Sequence, residues 1–167
     1  MSLLQITLLT HPREFSKRSN TGRLVLEALG EAAEQLRWDR ISPPATLLEE
    51  IAAGGVALCY PGAGAEEAGD LGGVRRLILI DATWQEARKM YQRSPYLRQV
   101  PRVTLLPQAP SRYNLRKHQR EAGLCTAECV IEILRTVGSH AVADRLEERF
   151  LACLKPLHQA LPKQQPE

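Results

Sequence analysis

Four aliphatic residues followed by an acid, Leu77-Ile78-Leu79-Ile80-Asp81, constrain the fold of this chain more than any other stretch. A strand with one wet face alternates apolar and polar side chains. This run does not alternate, so both of its faces must be covered. That describes a central strand of a parallel sheet, which needs helices on both faces and crossovers between strands. Runs of similar character stand at 3–9 (LLQITLL), 56–60 (VALCY) and 103–106 (VTLL), and a further strand is expected at 38–42, broken by Pro43 and Pro44.

Helical spacing fills the intervals. Leu24, Leu26, Leu29, Ala33 and Leu36 share one spacing behind Asn20 or Thr21 as cap. A short helix is expected from Thr46 to Ile51, closed by Gly54 and Gly55, and another over 83–91. Two more are expected over 126–137 and 141–154, with Gly138 and Ser139 between them. The expectation is one α/β domain over 1–160, a mostly parallel sheet with helices on both faces, and a short tail over 161–167.

The chain has 167 residues, 44% hydrophobic and 25% charged, which excludes a disordered polyelectrolyte and leaves no apolar run of bilayer length. The opening MSLLQITLLTHPREF lacks a basic segment ahead of its apolar stretch, so it reads as a strand and not a leader. The four cysteines, Cys59, Cys125, Cys129 and Cys153, form no CxxC pair. They read as reduced thiols of a cytoplasmic protein with no metal site; Cys125 and Cys129 read as small core residues. No membrane partner is expected, and no feature of the sequence sets an oligomeric state.

Charge is unevenly placed. Between Arg75 and Arg120 there are 11 Lys and Arg against only Asp81 and Glu86, within a chain of net charge +3. Such a stretch suits a polyanion, and equally a solvated helix face balanced by acids from other segments. PSRYNLRKHQR at 110–120 sets Arg112, Arg116, Lys117 and Arg120 around Tyr113 and His118, a mixture suited to a nucleic-acid backbone with a base stacked nearby. A smaller cluster lies at Arg13, Lys17, Arg18 and Arg23.

Ligand sites in such sheets lie beyond the carboxyl ends of the strands. Three loops qualify: Pro61-Gly62 after VALCY, Asp81 to Trp84 after LILI, and 107–116 after VTLL. Asp81 in that position is either a working carboxylate or the cap of the helix that follows it. Trp84 is either core or a flat wall for a ligand. GLCTAE at 123–128 opens a helix with Thr126 as its expected cap and Glu128 near its positive end. No G-x-G-x-x-G, P-loop, nucleophile elbow or H-E-x-x-H occurs, so the usual signals of hydride transfer, NTP hydrolysis and zinc proteolysis are missing.

Together, Asp81-Ala82-Thr83-Trp84 after an aliphatic strand, Pro110-Ser111-Arg112-Tyr113-Asn114-Leu115-Arg116, the opening HPREF…SNTGRL, and LCTAE resemble the DTW-domain family, in order, from about residue 5 to about residue 137. Members are similar to tRNA-uridine aminocarboxypropyltransferases. The resemblance implies transfer of the 3-amino-3-carboxypropyl group of S-adenosylmethionine to N3 of a tRNA uridine, with methylthioadenosine released. It also implies a SPOUT-like fold with a C-terminal trefoil knot. Longer members carry an N-terminal cysteine cluster suited to zinc; this sequence shows none ahead of its first strand, so the resemblance does not carry a zinc-assisted RNA grip over to it.

The resemblance also assigns roles. Asp81 would orient or deprotonate the uridine N3. Thr21 would meet the amino-acid end of the cofactor, and Trp84 would wall its methionine part. Leu58, Tyr60, Pro61, Gly62, Leu105, Leu106, Leu124, Cys125 and Thr126 would cradle the adenosine, largely by backbone and apolar contact. Arg13, Arg112, Tyr113, Arg116, Lys117 and Arg120 would bind RNA. Two alternatives use the same features: a SPOUT-type RNA methyltransferase presenting the other sulfonium carbon, and an RNA-binding protein without catalysis.

Overall fold

The computed structural model describes residues 4–17, 20–60, 66–67, 71–104 and 125–160. The chain opens with β1 (Gln5–Thr10), a short 3-10 segment (Pro12–Ser16), α1 (Gly22–Leu29) and β2 (Ala33–Arg37). It continues through α2 (Ala45–Ala53), β3 (Val56–Cys59), the two-residue β4 (Glu66–Glu67) and β5 (Arg76–Asp81). Then follow α3 (Trp84–Gln92), α4 (Pro95–Arg98), β6 (Arg102–Thr104), α5 (Thr126–Thr136) and α6 (His140–Ala160).

The strands form one sheet in the order β2-β1-β5-β3-β6-β4, and every described pairing is parallel. The LILI run therefore lies in β5, between β1 and β3, with Leu77 and Ile78 fully buried. Alternate residues of the central strands serve two separate cores. Ile6, Leu8, Leu77, Leu79 and Ala57 face one way, onto side chains of α1, α5 and α6 such as Val25, Ile133 and Phe150. Leu9, Ile78, Val56 and Leu58 face the other way, onto Leu47 of α2, Met90 of α3 and Leu97 of α4. Each fully buried Leu, Ile or Phe contributes about 1.5–3 kcal/mol relative to exposure. Covering both faces of so apolar a run is thus what drives the helices to both sides.

Two expectations are corrected. The helix begun at Gly22 stops at Leu29, because Gly30 takes the positive φ of 56° that ends a helix; Ala33 and Leu36 belong to β2. The second strand is therefore 33–37 and not 38–42, and its half-buried pattern is that of an edge strand beside β1. The expected strand over 103–106 is seen as Arg102–Thr104, and residues 105 and 106, like the tail at 161–167, lie outside the described residues. Among the described residues no helix is long and apolar enough to cross a membrane.

Candidate active site

Parallel strands in register bring their carboxyl ends to one edge. Thr10, the last residue of β1, pairs with Asp81, the last residue of β5, and β3 ends beside them. The chain leaving β1 stays at this edge, because the His11 N–H donates to the Asp81 carbonyl at 3.1 Å. The N-terminus of α5 arrives from the far end of the sequence.

Asp81 is fully buried. Its side chain does not cap the following helix. Thr83 does that, its hydroxyl accepting the Glu86 N–H at 3.2 Å while the Glu86 carboxylate accepts the Thr83 N–H at 3.1 Å. The Asp81 carboxylate instead accepts from three side chains. The Thr10 hydroxyl donates to Oδ2 at 3.1 Å and the Thr126 hydroxyl to Oδ1 at 2.7 Å; Asn20 Nδ2 reaches both oxygens, at 2.9 and 3.0 Å. The same Asn20 nitrogen lies 3.0 Å from Glu14 Oε2, and Glu14 Oε1 accepts from Lys17 Nζ at 3.0 Å. Glu14 and Asn20 are themselves buried. Asn20 Oδ1 accepts the Gly22 N–H at 2.9 Å, which opens α1. Gly22 is required at that point: a Cβ there would come within 2.8 Å of Asp81 Oδ2 and 2.9 Å of Asn20 Oδ1.

Thr21 reaches the start of α5, where its hydroxyl accepts the Ala127 N–H at 3.0 Å. Cys125, not Thr126, is the residue preceding the first turn, and the Glu128 carboxylate folds back to accept its N–H at 3.3 Å. Burial pushes the thiols of Cys59 and Cys125 up to about 12 and that of Cys129 well above its ordinary value. All three are therefore protonated and poor nucleophiles at neutral pH. Among the described residues no group of three His, Cys, Asp or Glu side chains is placed to hold a metal ion.

An aromatic ladder stands at the same edge. The Tyr60 ring lies between Tyr91, at 4.4 Å and 16°, and Trp84, at 6.4 Å and 18°. The Arg102 guanidinium sits 5.8 Å from the Tyr91 ring centre. Trp84 and Tyr60 are half-buried, so their faces combine packing with access. Leu58 is fully buried and its N–H donates to the Pro101 carbonyl at 2.8 Å; the run reaches the surface only near Tyr60. Arg13 is exposed on the 3-10 segment beside Glu14. Pro61, Gly62, Leu105, Leu106, Leu124, Arg112, Tyr113, Arg116, Lys117 and Arg120 lie outside the described residues.

Sequence reasoning misses Thr10, Glu14 and Asn20 as site residues. Glu14 carries a faint signal as the one acid in the basic stretch HPREFSKR, and Asn20 reads there only as a cap.

The DTW domain family matches residues 1–158. The chain is 30% identical over 162 residues to tRNA-uridine aminocarboxypropyltransferase 2 of Drosophila melanogaster, an alignment covering 92% of this chain and 62% of that protein. It thus spans less than two thirds of that relative's length. No solved structure matches the chain. The Asp-x-Thr-Trp sequence that the structure places at the carboxyl end of β5, together with a family match over nearly its whole length, makes this chain a member of the DTW-domain family.

Proposed function

We propose that this chain is a tRNA-uridine aminocarboxypropyltransferase. In this reading the bond from sulfur to the γ-carbon of S-adenosylmethionine breaks as the N3–carbon bond to a tRNA uridine forms, methylthioadenosine leaves, and the N3 proton is released to solvent. The observation that carries the reading is the convergence of Asp81, Thr126, Thr21 and Trp84 at one strand edge, in a chain whose relative bears that activity in its name. The SPOUT-like fold belongs to the same proposal. The sheet order supports it, since β5 inserts between β1 and β3 and α5 then returns to the end of β5. The proposed trefoil knot turns on residues 105–124, outside the described residues.

The residues present suit a sulfonium cofactor. Trp84, half-buried and backed by Tyr60, brings an aromatic ring to the strand end, and an aromatic face attracts a positive centre. Cys125 and Thr126, at the entry to α5, stand at the same edge, where the family resemblance puts the adenosine. When bound, the sulfonium makes the attached carbons electrophilic. The protein must then present the γ-carbon and not the methyl to the uridine nitrogen, so orientation carries much of the rate. Arg13, with the basic residues at 112–120, would hold the tRNA backbone.

Incubation with S-adenosylmethionine and bulk tRNA tests the reading. Methylthioadenosine and aminocarboxypropyl-uridine are the expected products. S-adenosylhomocysteine with a methylated nucleoside would select the methyltransferase, and tRNA binding without either product would leave a binding protein.

A further inference from the structure

We infer that Asp81 is a positioning residue and not the proton acceptor, and that Glu14 and Asn20 complete a clasp with it that holds the walls of the site together. The inference deepens the reaction proposed above and rests on it for its catalytic half.

An ionised carboxylate offers about four lone-pair directions. At Asp81 three donors, the Thr10 hydroxyl, the Thr126 hydroxyl and one Asn20 N–H shared between the two oxygens, cover the carboxylate, and no part of the residue is exposed. The Thr10 hydroxyl donates to Asp81 and also accepts from Gln35 Nε2 at 3.2 Å, so it is held from both sides. A uridine N3–H would have to displace one of these donors to reach an oxygen.

Asn20 is as fully used. Its NH2 has two hydrogens and faces two carboxylates, Glu14 on one side and Asp81 on the other, while its oxygen accepts from Gly22. A neutral amide between two buried carboxylates supplies donors to both without titrating. The Glu14 side chain is fully buried and takes Lys17 on its other oxygen.

The clasp thus joins five pieces of chain: the 3-10 segment with Arg13, the end of β1, the start of α1 beside Thr21, the end of β5 ahead of Trp84, and the first turn of α5 with Thr126. A site assembled from loop ends works only if its supports hold it to within about 0.5 Å.

Donor and acceptor can be exchanged. D81N alone sets an amide N–H against the Asn20 N–H, and a loss of activity of at least about tenfold is expected. E14Q/N20D/D81N restores complementarity among positions 14, 20 and 81 in inverted form: the carboxylate placed at position 20 accepts from amides on both sides, while the Thr126 hydroxyl turns to accept from the position-81 amide. The expected result is recovery to within about fivefold of wild type, with non-additive melting temperatures across the N20D and D81N cycle. A folded triple variant as inactive as D81N overturns the positioning role.

A second readout does not need the triple variant to fold. If Asp81 took the N3 proton, the D81N defect would shrink as pH rises and the uridine ionises unaided. A positioning role keeps the ratio of wild-type to D81N kcat constant from about pH 7 to about pH 9. A shrinking ratio overturns the proposal. Absence of product from wild type refutes the reaction itself; the clasp is then judged on the melting cycle alone, where additive effects overturn it.

Discussion

The Thr21 hydroxyl accepts the backbone N–H of Ala127 at 3.0 Å, across 106 residues of sequence. Ala127 is the second residue of α5, so a group that a local cap would ordinarily satisfy is satisfied by the entry to α1. Loss of such a cap typically costs about 1 kcal/mol. Thr21→Ala should lower the melting temperature by about 2–4 °C for a chain of this size, and Thr21→Ser should restore it. Equal melting of the alanine variant and wild type would show that α5 finds its acceptor elsewhere.

Gly22 is held by space and not by backbone conformation. A methyl group there meets Asp81 Oδ2 and Asn20 Oδ1 below 3.0 Å. Gly22→Ala should destabilise the fold by about 1–3 kcal/mol, the usual range for overpacking a tight site. Urea denaturation measures this directly. Wild-type stability in the variant would mean that the Asp81 and Asn20 side chains can move apart without penalty, which the clasp forbids.

Alkaline pH should weaken the protein through Cys125. Burial, reinforced by the Glu128 carboxylate, pushes this thiol up to about 12 from an ordinary 9.0. The unfolded chain therefore loses the proton first. The stabilisation is whole below about pH 9 and drains as pH rises toward 12, by roughly 1 kcal/mol at about pH 10. Cys125→Ser removes the group, so its urea midpoint should fall less than that of wild type between about pH 8 and about pH 10. Parallel falls in the two proteins would exclude this thiol as the cause.

Arg13 tests the proposed RNA surface without disturbing the clasp, since its side chain is exposed while its neighbour Glu14 is buried. Removing a cation that neutralises one phosphate should flatten the dependence of log affinity on log salt by about 0.7–0.9. Arg13→Ala should therefore bind tRNA more weakly and with a shallower slope, while S-adenosylmethionine affinity is unchanged. A filter-binding salt titration gives both quantities for tRNA. An unchanged slope and affinity would remove Arg13 from the RNA interface and leave the 112–120 stretch as the place to look.

The sequence by itself determined the sheet and its two covered faces. Leu77, Ile78 and Leu79 cannot be wetted on either side, and the helical spacing of α3, α5 and α6 supplied the cover. It also marked Asp81 and Trp84, because an acid closing an aliphatic strand and a Trp three residues on stand out locally. It misjudged the end of α1, where apolar spacing ran through Gly30 into β2 and one positive φ outweighed the pattern. The surroundings of Asp81 were decided only by the tertiary structure. Its partners Thr10, Asn20 and Thr126 lie 71, 61 and 45 residues away, and local sequence gives no account of who meets whom at that distance. Strand order and register set the meeting: β5 slots beside β1, Thr10 comes level with Asp81, and α5 packs back over the same face with its first turn at that edge. A buried carboxylate must find donors wherever the fold delivers them, and the fold delivered a neutral amide that Glu14 needs as well.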